Sequence, residues 1–151
     1  MISAGSPDAL AAAVGSSATS SWLDVTQARI DLFAEATGDR QWIHVDQARA
    51  SQGPYGTTIA HGLLTLSLLP EFLAEVMNVG NTAAVVNYGV ESARFLTPVP
   101  RDSRLRSKVT LTDVSSAAHG IRATLHHDVE LDGSQRPALV ADTILLFVPD
   151  A

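Results

Sequence analysis

The apolar positions along this chain change period twice, and the changes mark out its elements. In residues 27–37, Ile30, Phe33, Ala34 and Thr37 fall at i, i+3, i+4 and i+7, which puts one buried stripe on a helix. Thr26 stands where a capping hydroxyl belongs, and Gly38 where a left-handed residue ends a helix. In residues 62–78 the apolar side chains of Leu63, Leu64, Leu66, Leu68, Leu69, Phe72, Leu73, Val76 and Met77 cover nearly every face. They predict one long helix, about 25 Å from end to end and buried on most sides. Pro70 lacks a backbone donor and predicts a bend or a break within it.

After Gly80 the period becomes two. Residues 83–95 read as a strand around Gly89, a position for a bulge or a close backbone approach. Residues 104–114 alternate Leu105, Val109 and Leu111 with Arg104, Arg106, Lys108, Thr110 and Thr112, the signature of a sheet with one wet face. Ile121, Ala123, Leu125, His127, Val129 and Leu131 repeat the alternation, Asp132-Gly133 supplies a hairpin turn, and residues 137–148 form the last strand. Upstream, residues 22–25 make a short strand. Residues 7–14 make a short helix, capped by Ser6, opened by Pro7 and stopped by Gly15. Residues 39–61 read as a covering loop punctuated by Gly53, Pro54 and Gly56, with a turn of helix near 45–50. A helix apolar all round and strands apolar on one side combine as an α+β domain, a central helix wrapped by a curved antiparallel sheet. Residues 1–151 are read as one domain, with 1–18 an N-terminal extension.

The 151 residues suit a single core, since two domains would leave each too little apolar surface to bury. With 10 Lys and Arg against 16 Asp and Glu, the net charge of -6 gives no general attraction to nucleic acid or to an anionic membrane. The absence of cysteine excludes a disulfide framework and a thiolate metal site. The first residues lack a signal-peptide pattern and no run is apolar enough for a membrane span, so a cytoplasmic protein is expected.

Chemistry concentrates at Asp39 and His44, five positions apart in a loop just beyond a helix end. A carboxylate and an imidazole on such a loop can converge on one water, the imidazole accepting a proton near neutral pH. An Asp following a helix-ending Gly is also an ordinary turn residue. Ala60-His61-Gly62 leads into the apolar helix, where unpaired N–H groups can hold an oxygen that gains negative charge, and Gly62 allows close approach. His61 is read as a structural residue of the loop. Adjacent His126 and His127 point to opposite faces of a strand, one buried and one exposed, and do not share a metal. Arg94, Arg101, Arg104, Arg106 and Lys108 form a basic stretch, either solvated or meeting phosphate groups.

These residues carry a resemblance. Phe33, Thr37-Gly38-Asp39 and His44, then Gly56-Thr57-Thr58-Ile59-Ala60-His61-Gly62, then Asn87-Tyr88-Gly89, Arg94-Phe95 and Pro98-Val99 resemble the MaoC-like, NodN-type (R)-specific enoyl-CoA hydratases over residues 20–148. The resemblance implies a hot-dog fold, a homodimer with sheets joined edge to edge, and no metal or redox cofactor. It implies syn hydration of a trans-2-enoyl-CoA to an (R)-3-hydroxyacyl-CoA, or the reverse dehydration, on coenzyme A or acyl-carrier-protein thioesters. Carried over by position, Asp39 and His44 hold the catalytic water and the backbone N–H of Gly62 binds the thioester carbonyl. Trp42, Leu63, Ser67 and Tyr88 are the further substrate-binding candidates, with a core role open for Trp42 and Tyr88 and a bond back to the preceding helical turn open for Ser67. Gln41-Trp42 replaces the usual Asn-Pro of the loop, Glu91 a frequent Asn, and Pro70 a small polar residue of some relatives. The rival readings are a thioesterase on the same fold and a non-catalytic acyl-thioester binding module.

Overall fold

The computed structural model describes residues 1–150. Local signals set the first helix, α1 (Gln27–Thr37). The Thr26 hydroxyl accepts from the Arg29 N–H at 3.2 Å, and Gly38 ends the helix at φ 79° with its N–H bonded to the Ala34 carbonyl. Ile30 and Ala34 are buried, whereas Thr37 is exposed and donates its hydroxyl to the Phe33 carbonyl, so the stripe stops one turn earlier than its spacing predicts. Two short helices follow in the covering loop, α2 (Trp42–Val45) and α3 (Gln47–Ser51), the latter capped by Asp46.

The expected long helix is two helices. α4 (Gly62–Ser67) ends at Leu68, and α5 (Leu69–Val76) starts again with Pro70 in its first turn. Proline cannot give the next rung of the ladder an N–H, so the helix restarts there instead of bending. Nor is the pair apolar-buried all round: Leu64, Leu68, Leu69, Phe72 and Val76 face the core, while Leu63 is 61 % exposed. At Met77 the chain becomes extended as β4 (Met77–Val79), pairing in parallel with β1 (Ile2–Ala4).

The main sheet holds β2 (Ser17–Thr19), β3 (Leu23–Val25), β5 (Thr82–Phe95), β6 (Ser103–Ala117), β7 (Gly120–Leu131) and β8 (Leu139–Pro149). Its order is β2-β6-β7-β8-β5, all antiparallel, with β3 also on β6. The register shifts between Asn87 and Gly89, where the glycine predicted a bulge. The inward residues Leu105, Val109, Leu111, Leu125, Val129, Leu139, Leu145 and Phe147 pack on α1, α4 and α5 in two adjoining clusters. Fully burying each such side chain contributes about 1.5–3 kcal/mol. This is the hot-dog arrangement, helices held in the curve of an antiparallel sheet.

The N-terminal residues are part of that core. Ile2 and Leu10 are fully buried, β2 adds to the edge of β6, and residues Pro7–Ala13 form a 3-10 helix, not an α-helix, whose Ser6 side chain makes no capping bond. β5 lies at the opposite edge, and its outer edge has no strand partner among the described residues.

Candidate active site

The loop after α1 comes back over the start of α4, and three polar side chains meet there. One carboxylate oxygen of Asp39 and one ring nitrogen each of His44 and His61 all lie within 4.8 Å of one another. Two hydrogen bonds of ~2.8 Å meeting at a water span roughly 4.5 Å, so a single water fits between such groups. Asp39 is exposed, and both histidines are buried.

His44 is fixed from behind. Its Nδ1 lies 2.6 Å from the Ile59 carbonyl, which can only accept, so Nδ1 carries the proton of the neutral ring and Nε2 has a free lone pair. Burial holds the pKa of His44 below its ordinary value, opposed by the Ile59 carbonyl; His61 pushes it down further and Asp39 pulls it up. The ring is therefore neutral at pH 7 and able to take a proton. Gln27 braces this region by donating to the His44 carbonyl at 2.8 Å and accepting from the Thr58 hydroxyl.

His61, the N-cap residue of α4, donates from Nε2 to the Asp39 carbonyl at 2.8 Å and packs against Phe33. It ties the loop to the helix start. Its ring stacks on that of His44, with centroids 3.8 Å apart and planes inclined by 25°, and its Nδ1 is buried without a partner. Three donors of this kind also make a group of the size that holds a cation. The two stacked rings keep their lone pairs in planes inclined by 25°, whereas a metal ion would require both to aim at one point ~2.0–2.1 Å away.

Gly62 is the first residue of α4, where an N–H has no acceptor in the preceding turn. A side chain at this position would meet the Phe95 ring at 2.9 Å. The close approach that requires glycine here is thus made by β5, and Phe95, half-exposed, covers the helix start. Periodicity gave no signal of this contact, nor of Gln27.

The other substrate-binding candidates lie elsewhere. Trp42 is half-buried under the Arg49 guanidinium, 4.3 Å from its ring, and packs on Gly53. Leu63 faces outward, and Ser67 donates back to the Leu64 carbonyl at 2.7 Å, the structural alternative for that residue. Tyr88 is exposed, with the Arg122 guanidinium 4.5 Å from its ring. In the basic stretch, Arg104 pairs with Asp132 and Arg106 with Glu130, both over Trp22, so much of its charge is neutralised locally. Ser92, Asp142 and His126 do come together, but Asp142 sits between the other two, accepting from Ser92 at 2.7 Å and meeting His126 at 2.7 Å. A hydroxyl bonded to the carboxylate and not to the imidazole is not activated as a nucleophile.

Further along α5 lies a cavity of about 510 Å³, within the ~300–1,000 Å³ usual for ligand sites. Leu69, Pro70, Leu73 and Met77 form one wall and Thr82–Val85 with Asn87 another, while His127, Thr143, Leu145 and Phe147 form the floor. Leu69 is seven residues from Gly62, roughly 10 Å along the helical path at ~1.5 Å per residue.

Residues 10–130 match the MaoC like domain family. The chain belongs to the MaoC-like dehydratase family. It is 46 % identical over 141 residues to the 3-hydroxyacyl-thioester dehydratase Z of Mycobacterium tuberculosis, an alignment covering 92 % of this chain and 93 % of that one. Nodulation protein N of Rhizobium leguminosarum bv. viciae is 40 % identical over 136 residues, covering 87 % and 84 %. The solved R-hydratase PhaJ1 of Pseudomonas aeruginosa superposes with a TM-score of 0.74 at 22 % identity, over 91 % of this chain and 83 % of that one. At that identity the likeness bears on the fold. No helix among the described residues is long and apolar enough to cross a membrane.

Proposed function

We propose that this MaoC-like lyase adds water to trans-2-enoyl thioesters, giving (R)-3-hydroxyacyl thioesters, or runs the reverse dehydration, with Asp39 and His44 holding the water. The observation that carries the reading is the neutral His44 ring. Its Nδ1–H is tied to the Ile59 carbonyl, which leaves Nε2 free, and one nitrogen of the ring lies within 4.8 Å of an Asp39 carboxylate oxygen, a separation that a bridging water spans. His44 takes a proton from the water as its oxygen bonds to the β-carbon. The double-bond electrons move toward the thioester oxygen, and the α-carbon receives a proton from the same pair, so one water is added overall. In this reading the N–H of Gly62, without an acceptor in the preceding turn, holds the thioester oxygen, an interaction whose loss from such sites costs about 3–4 kcal/mol in the transition state. The cavity beside α5 receives the acyl chain, and coenzyme A or a carrier protein supplies the thiol.

Assembly follows from β5. A 14-residue edge strand exposing Val85, Val86, Tyr88, Val90 and Phe95 at 46–56 % is an open template for another strand. The reading makes this edge the twofold seam of a homodimer.

Asp39→Asn and His44→Ala are each expected to slow hydration of crotonyl-CoA by at least about a hundredfold, the scale of general acid–base catalysis. Circular dichroism should show both variants folded. Near wild-type loss of the enoyl absorbance in either would refute the assignment, and release of free thiol instead would identify a thioesterase.

A further inference from the structure

His44 is carried by α2, a single turn of helix whose N-cap residue, Gln41, supplies no side-chain bond. One turn has almost no stability of its own, so the placement of His44 depends on what grips that turn from outside. The Ile59 N–H donates to the Ile43 carbonyl at 3.0 Å, and the Gln27 side chain on α1 donates to the His44 carbonyl at 2.8 Å. The same amide accepts from the Thr58 hydroxyl and donates to the Asp31 carboxylate at 2.8 Å, so its oxygen and both of its hydrogens are committed. Thr58 is 1 % exposed and sits on a segment anchored from the far side. Its carbonyl accepts from the Arg101 N–H at 2.9 Å, and the Ala60 N–H donates to the Val99 carbonyl at 2.8 Å. Gln27 thus ties the main chain of His44 to the residue beside Ile59, whose carbonyl receives the His44 ring.

We propose that Gln27, with Thr58, is a positioning residue for the hydration: the brace keeps the His44 ring on the Ile59 carbonyl and so keeps Nε2 as the free base. The inference rests on the hydratase reading and on His44 as its base. Neither residue serves the substrate directly, since Thr58 is buried and every polar group of the Gln27 amide is already used. Without the brace the turn drifts from the anchored segment and the Nδ1–H loses its fixed acceptor. Which nitrogen of a neutral imidazole carries the proton is set by the bond the other makes, so the released ring takes up the Nε2–H form and the lone pair facing the water is lost.

Gln27→Leu and the isosteric Thr58→Val remove the brace from either side. Each should lower kcat for crotonyl-CoA hydration by about ten- to hundredfold, as a small misplacement of a catalytic group does, with KM unchanged. Thr58→Ser keeps the hydroxyl and should keep most of kcat. The double variant should cost no more than the worse single one, because both substitutions delete the same interaction. Nitrogen NMR shifts of the His44 ring at neutral pH, assigned by difference from His44→Ala, should show the Nδ1–H form in the wild type and Thr58→Ser, and a move toward Nε2–H in the other two. A merely structural role would leave that signal in place in a folded variant. Thermal melts identify any variant that does not fold, and each of the two substitutions decides if the other is lost. A wild-type ring in the Nε2–H form, or folded variants in which either kcat or the tautomer fails to move, overturns the inference alone. Absence of crotonyl-CoA hydration in the wild type overturns the hydratase reading and this inference with it.

Discussion

At the scale of single residues, the site depends on which nitrogen of His44 is free. A main-chain carbonyl at 2.6 Å settles the tautomer without spending a second carboxylate on it, and Asp39 stays exposed. The same burial that fixes the ring holds its pKa below the ordinary value of about 6.5. A base must be neutral to act, so depressing its pKa extends activity toward acid. The acid limb of kcat/KM for crotonyl-CoA is therefore expected to have its midpoint below pH 6.5, since kcat/KM reports the free enzyme. A pH-rate profile checks this, and a limb centred at 6.5 or above would contradict the assigned base. Asp39 and His44 stand out as candidates because they sit five apart beyond a helix-ending glycine, a weak signal by itself that the MaoC-like resemblance of residues 33–62 strengthens. Gln27, Phe95 and the Ile59 carbonyl were not, because each acts through a contact between distant segments that no local spacing encodes.

At the scale of elements, what could be read in advance was what neighbours along the chain decide. Thr26 and Gly38 bracket α1 because caps are made within one turn, and the register shift between Asn87 and Gly89, one of three in β5, falls beside the glycine that marked it. Pro70 left two outcomes open, and packing chose the break: the restart at Leu69 turns Leu69 and Phe72 into the core. The N-terminal strand pairing was not legible, since a three-residue strand such as β1 has almost no pattern of its own and forms only because β4 is there to receive it. β7 carries a consequence for stability. His127 is forced neutral by burial, with His126 lowering it further and Asp142 and Asp128 opposing, so the unfolded chain binds its proton more readily than the folded one. No penalty exists above pH 6.5; it grows as the pH falls toward about 4. By linkage this removes roughly 2 kcal/mol at pH 5 relative to neutral pH. Urea unfolding of the wild type and His127→Gln at pH 7.5 and pH 5 should show a smaller acid loss in the variant by about that amount. Equal losses would show that His127 is not the group responsible.

At the scale of the whole molecule, the two edges of the sheet are treated differently. One edge is covered by short segments, β2 and β3 following one another along β6, whereas β5 leaves 14 residues with apolar side chains on both faces and no strand beyond among the described residues. A long apolar edge of this kind recruits another chain, and a twofold axis beside β5 would join two sheets into one while burying the same patch on each copy. In the proposed dimer the candidate site is tied to that seam, because Phe95 lies on β5 and covers Gly62, so anything that loosens β5 also shifts the start of α4. Lysines placed at Val86 and Val90 would set four like charges along the seam of the proposed dimer, and like charges across paired strands destabilise the pairing. Neither residue lines the α5 cavity. Sedimentation velocity should find the wild type at twice 15.9 kDa and the Val86→Lys, Val90→Lys double variant at 15.9 kDa. Crotonyl-CoA turnover should fall on the order of tenfold or more in step with dissociation, as small misplacements of catalytic groups cost that much. A double variant that is monomeric yet fully active would separate the site from the seam and leave β5 with a purely structural part.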